Sequence, residues 1–135
     1  MTAVPINYLA VVVAAVAGFL LGWGWYAVFG KAWKEGLGKN PEDCKGPMPL
    51  PPLIVAGVSC LLMAWMLAGL VGHLGDVTIR GGVISAIFVW AGFVLTTTST
   101  NQAFEGMRPV VTMIDVGHWL AVLVVMGAII GAFGA

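Results

Sequence analysis

Four runs of twenty or more largely apolar residues constrain this chain more than any other feature. They cover about 6–29, 53–74, 79–100 and 110–133. A helix needs about 20 apolar residues to cross ~30 Å of hydrocarbon, so each run predicts one transmembrane helix. The chain therefore reads as an all-α membrane protein, a four-transmembrane-helix bundle in a single domain over 1–135. Composition agrees: 60% of residues are hydrophobic and 9% are charged, against about 25% charged in soluble domains. So few charges could not cover the surface of a protein in water. Hydrocarbon needs no such cover, and the lipid bilayer is the first partner the sequence implies.

The breaks between runs have local causes. Pro47, Pro49, Pro51 and Pro52 cannot continue a helix, although Pro52 suits the first turn of the next one. Gly75-Asp76 is a turn dipeptide, and Gly106 and Pro109 part the third run from the fourth. Met1 to Asn7 has no Lys or Arg and the run behind it is too long for a signal-peptide core, so the first helix is expected to be retained. Lysines 31, 34, 39 and 45 lie in loop 30–52 and Arg108 in loop 101–109, with only Arg80 on the other side. This five-to-one asymmetry puts both basic loops in the cytoplasm and both termini outside. Lys31-Ala32-Trp33-Lys34-Glu35-Gly36-Leu37 is expected to form a short interfacial helix after the first span. Trp23, Trp25, Tyr26 and Trp33 are expected to anchor that end in the headgroup region.

Asp115 is the residue with the most chemistry to explain. It lies six residues after Pro109, ~9 Å along a helix axis. A carboxylate at that depth needs a partner or water. His118, three residues on, shares its helical face. If the third and fourth helices pack antiparallel about the turn at 101–109, Thr97 comes close to Asp115, and the polar run Thr96 to Gln102 lines one side of it. One reading is a polar clamp between the two helices. The other is a proton or ion relay, or a pocket for a small polar ligand, built from Asp115, His118, Thr97 and Asn101. A metal site is not expected, because Asp and His at that spacing supply only two ligands and His73 belongs to the opposite face of the membrane. His73, Asp76 and Arg80 read as a cluster snorkelling to water. Glu105 and Arg108 are expected to pair across the last turn.

Ala10, Ala14, Gly18 and Gly22 recur every four residues, and Gly127 and Gly131 repeat the spacing. Small residues at that interval let helix backbones approach closely in lipid. They serve either packing within one bundle or contact between copies, and a homo-oligomer is one expectation. Six Lys/Arg balance six Asp/Glu without a basic tract, which argues against a nucleic-acid partner. Cys44 and Cys60 form no disulfide framework or metal cluster. No phosphate-binding glycine loop, GxSxG elbow or HExxH occurs. The expectation is no catalytic residue, no cofactor and no enzyme. A binding, packing or accessory membrane component is expected instead, free or as a subunit of a larger membrane complex. The alternative is a protomer of an oligomeric small-solute, ion or proton transporter or channel.

Several short motifs carry a resemblance. They are Ile6-Asn7-Tyr8-Leu9-Ala10-Val11, Gly22-Trp23-Gly24-Trp25-Tyr26, Phe29-Gly30-Lys31-Ala32-Trp33, Phe104-Glu105-Gly106-Met107-Arg108-Pro109, Ile114-Asp115-Val116-Gly117-His118-Trp119 and Val125-Met126-Gly127-Ala128-Ile129-Ile130-Gly131. In this order they resemble DUF1761, a family of small bacterial membrane proteins of unknown function. The most specific part is Trp-Tyr followed by Gly-Lys-Ala-Trp. The resemblance implies a compact four-helix protein of the bacterial inner membrane and no particular activity. It also implies that Asn7, Trp25, Tyr26, Trp33, Glu105, Arg108, Pro109 and Asp115 are the positions of interest. The Pro-rich stretch 46–52 is not part of that pattern.

Overall fold

The computed structural model describes residues 4–40, 42 and 49–134. Cys44, Lys45 and Pro47 of the first loop lie outside the described residues.

The first helix, α1, runs from Tyr8 to Gly36. Asn7 caps it, its side-chain oxygen accepting from the backbone N–H groups of Leu9 (3.1 Å) and Ala10 (3.2 Å). Lys31 to Gly36 is the last stretch of this helix, which corrects the expectation of a separate interfacial helix. No proline falls between Phe29 and Gly36, and the single Gly30 costs only about 1 kcal/mol in a helix interior, so the ladder continues. At 29 residues, α1 is ~43 Å long and exceeds the hydrocarbon thickness. It ends where Gly38 takes φ +80° and the Leu37 N–H reaches back to the Trp33 carbonyl at 3.0 Å.

Helix α2 (Leu50–Leu74) carries Pro51 and Pro52 in its first turn, where no donor is lost. Gly75 closes it in the left-handed conformation at φ 80°. Helix α3 (Ile79–Val89) is capped by Thr78, whose hydroxyl accepts from Gly81 N–H at 2.9 Å. A π-helical turn follows at Trp90–Leu95 and leads into α4 (Thr96–Phe104). Together they form a third span of 26 residues. After a turn at Gly106, φ 73°, α5 (Pro109–Phe133) starts on proline. Four helices are thus long and apolar enough to cross a membrane, and the described residues contain no strand. This is the architecture of a multi-pass membrane protein. Phe88 and Phe93 point outward at 74% and 70% exposed, as lipid-facing side chains do.

Helix α5 is the centre of the bundle. It packs against α1, α2, α3, the π turn and α4, whereas α1 touches neither α3 nor α4 among the described residues. The core where these helices meet includes Ala14, Leu67, Val71, Val122, Leu123 and Met126. The small residues face inward. Ala10 and Ala14 are buried, Gly18 abuts Val122 and Met126, and Gly22 abuts His118. Gly82 and Gly127 bring the backbones of α3 and α5 into direct contact, and Gly131 does the same against Thr78. A side chain at any of these last positions would strike backbone.

A polar node joining three helices

Asp115 projects from α5 between α1 and α4. Its Oδ1 accepts from the Tyr26 hydroxyl at 2.5 Å, and its Oδ2 accepts from Gln102 Nε2 at 2.7 Å. The Gln102 amide oxygen in turn accepts from the Thr112 hydroxyl at 2.7 Å. One carboxylate and one amide therefore join three helices, and each functional oxygen and nitrogen has a partner.

The α5 backbone beside Asp115 is gripped from two sides. Trp25 Nε1 donates to the Ile114 carbonyl at 3.1 Å, and Trp90 Nε1 donates to the Val116 carbonyl at 2.8 Å. The first indole comes from α1 and the second from the π turn. These two contacts fix the depth and rotation at which Asp115 is presented.

Asp115 thus points into protein, but its partners differ from those expected. Thr97 and Asn101 are both exposed, and the Thr97 hydroxyl is spent on the Phe93 carbonyl of its own helix at 2.5 Å. Thr96 bonds the Gly92 carbonyl in the same way at 2.8 Å. The π turn explains the discrepancy. In a regular helix, residues 7 and 11 after the inward-facing Trp90 share its face, and those are Thr97 and Asn101. A π turn inserts one residue and advances the register by one. Thr98 and Gln102 take the inward places, and both are half-buried. The widened turn also leaves carbonyls that the two threonine hydroxyls satisfy.

His118 makes no hydrogen bond to Asp115. Its ring packs 5.0 Å from that of Tyr26 and 4.5 Å from that of Trp119, centroid to centroid. It is only 8% exposed, and its Nδ1 is buried without a partner among the described residues. Trp33 Nε1 is a second such atom, on a ring that meets Tyr26 edge-on at 5.7 Å. Trp23 faces outward, as an anchor would, but Trp25 and Tyr26 turn toward α5. Arg108 does not pair with Glu105. Its Nη1 donates to the Glu35 carbonyl at 3.1 Å and so caps the last turn of α1 from the start of α5. On the opposite end of the bundle, Asp76 accepts from the Thr78 hydroxyl at 2.9 Å, and His73 and Arg80 are exposed. Among the described residues no group of three His, Cys, Asp or Glu side chains is placed to hold a metal.

Sequence reasoning placed Gln102 at the end of the polar run beside Asp115 without singling it out, missed Thr112, and took Trp25 and Tyr26 for anchors. The signal was present in the spacing, since Gln102 and Thr112 both lie close to the hairpin turn. Only the register shift decides that Gln102 is the residue aimed at Asp115.

The sequence model of a family described as a protein of unknown function (DUF1761) matches residues 9–131. The chain belongs to the DUF1761 family. No curated protein and no solved structure matches it. The DUF1761 match spans every member of the node, from Tyr26 to His118, while the capping Asn7 lies just before it.

Proposed function

We propose that this DUF1761 protein is a non-enzymatic binding or accessory component of the bacterial inner membrane. Its termini lie outside and loops 30–52 and 101–109 lie in the cytoplasm. The observation that carries the reading is the closure of the node on itself. Both Asp115 oxygens and both ends of the Gln102 amide are occupied by protein. Such a node locks α1, α4 and α5 together and presents a fixed surface to a partner. The partner is a second copy or a larger membrane complex.

Native mass measurement after gentle solubilisation tests this. A heteromeric assembly, or a homo-oligomer that conducts no ion or proton once reconstituted, is the expected result. A bare monomer in a mild detergent and in native lipid discs would defeat it. A second reading, the protomer of a transporter or channel, is favoured by one observation: His118 is buried beside Tyr26 with Nδ1 unpartnered, as a relay group is. Proton flux into liposomes that Asp115→Asn abolishes would establish that reading instead.

A further inference from the structure

Helix α4 carries polar side chains on a face that no described residue covers. It contributes no buried residue, and α5 is the only long helix it touches among the described residues. Gln102 looks inward to Asp115, while Thr97, Thr100, Asn101 and Phe104 are exposed on the other side. Spaced three and four residues apart, these four form one stripe. The Thr97 hydroxyl is satisfied within its own helix. The Thr100 hydroxyl and the Asn101 amide bond no other described residue. The third span has 26 residues, so it is ~39 Å long against ~30 Å of hydrocarbon. Centred in the bilayer, it places Thr100 and Asn101 at the edge of the hydrocarbon, where lipid tails offer neither donor nor acceptor. The exposed faces of α1 and α2 are different in kind. They present Val12, Val16, Leu20, Ile54 and Val58, which lipid satisfies.

A knob and a hole lie side by side on this part of the surface. Phe104 stands 91% exposed. A shallow groove of about 340 Å³ runs between α4 and α5, lined in part by Leu95, Ser99, Ala103, Met107 and Met113, and it spans the level of Phe104. Two copies inserted in the same orientation are related by an axis along the membrane normal, so each residue meets the other copy at its own depth. Around α4, Thr100 falls between Ala103 on the groove side and Phe104 on the other. A twofold axis near Thr100 therefore lays the Phe104 side of each copy against the groove side of the other. Neither the stripe nor the groove carries a charged side chain, so two identical faces do not repel.

We propose that this face of α4 is a twofold interface and that its partner is a second copy of the chain. The proposal rests on the accessory reading and names the partner that reading calls for. Phe104 of each copy enters the groove of the other, and the Thr100 hydroxyls meet at the axis. The Asn101 amide reaches the Ser99 hydroxyl across the interface. A carboxamide both donates and accepts, so it pairs with a hydroxyl in either sense. Polar side chains at such positions hold helices together in lipid, where burying apolar surface gains nothing.

The experiment is disulfide crosslinking of the full chain in isolated native membranes, with Cys44 and Cys60 replaced by serine. On mild oxidation Thr100→Cys is expected to give a dimer band, and Leu20→Cys, on the apolar face of α1, none. Added to Thr100→Cys, Phe104→Ala is expected to weaken the dimer about tenfold, the effect of removing a central aromatic contact. Asn101→Leu is expected to weaken it about threefold, the effect of one interhelical hydrogen bond in a membrane. Both positions are exposed, so both variants should keep the melting temperature of the parent. No crosslink at Thr100, an equal crosslink at Leu20, or a Thr100 crosslink that neither added substitution reduces would each overturn the proposal. A heteromeric native mass without the Thr100 crosslink overturns this interface and leaves the accessory reading standing. Proton flux through the crosslinked dimer overturns the accessory reading alone.

Discussion

Asp115→Asn and Asp115→Leu are expected to part sharply. With asparagine at 115 the node can invert: its Nδ2 donates to the Gln102 oxygen, Gln102 Nε2 donates to the Thr112 hydroxyl, and Tyr26 keeps an acceptor. The cost should stay within about 1 kcal/mol. Leucine leaves the Tyr26 hydroxyl and the Gln102 amide without their acceptor, at a cost of roughly 1–3 kcal/mol. Thermal unfolding in detergent, followed by circular dichroism, checks the order. Equal melting temperatures for the two variants would remove the node from the account of stability. Glycines make a second residue-scale pair. A Cβ at Gly127 would run into the Gly82 backbone, whereas one at Gly24 meets open space. Gly127→Ala is therefore expected to destabilise by about 1–3 kcal/mol. Gly24→Ala should be neutral or stabilising by up to ~1 kcal/mol, because alanine is the better helix former.

At the scale of elements the decisive piece is the π turn at Trp90–Leu95. Deleting Gly92 is expected to remove the inserted residue and convert the third span to a regular helix, in which Thr98 and Gln102 stand 7 and 11 residues after Trp90. Gln102 would therefore still face Asp115, and the melting temperature should change little. Inserting one alanine after Gly92 should instead turn Gln102 away from α5 and lower the melting temperature. A large loss on deletion, or none on insertion, would mean that the node's register is not what the π turn sets. The other element-scale surprise, the unbroken α1, follows from the same kind of reasoning. Lysines and a tryptophan at the end of a helix do not end it. They let the helix run past the hydrocarbon while Arg108 caps its last carbonyls.

For the whole molecule the testable quantity is orientation. The basic asymmetry between the two sides predicts that the end near Lys39 lies in the cytoplasm. Both Lys39 and His73 are exposed, near opposite ends of the bundle. In a background with Cys44 and Cys60 replaced by serine, His73→Cys is expected to react with an impermeant maleimide on intact cells. Lys39→Cys should react only after the membrane is opened. The reverse labelling pattern would invert the topology and place the node near the outer face. The bundle itself would be unchanged, since α5 holds its neighbours through packing that has no preferred side.

Hydrophobic run length is a local property, because each span must satisfy the bilayer by itself. For that reason the four spans and their breaks at proline and glycine were legible in the sequence. The resemblance to DUF1761 was legible too, as was the need of Asp115 for protein partners, which follows from the cost of a carboxylate in hydrocarbon. The identity of those partners was a tertiary matter. Thr97 and Asn101 are the right residues for an ideal helix, and one inserted residue at the π turn replaces them with Thr98 and Gln102. Tyr26 looks like an interfacial aromatic until α1 is packed on α5, when its hydroxyl meets Asp115. Likewise, the spacing of Gly127 and Gly131 predicted close packing, but only the fold shows that the neighbour is α3 of the same chain. A stripe of small residues permits close approach to any helix, and its partner is decided by which backbone lies across from it.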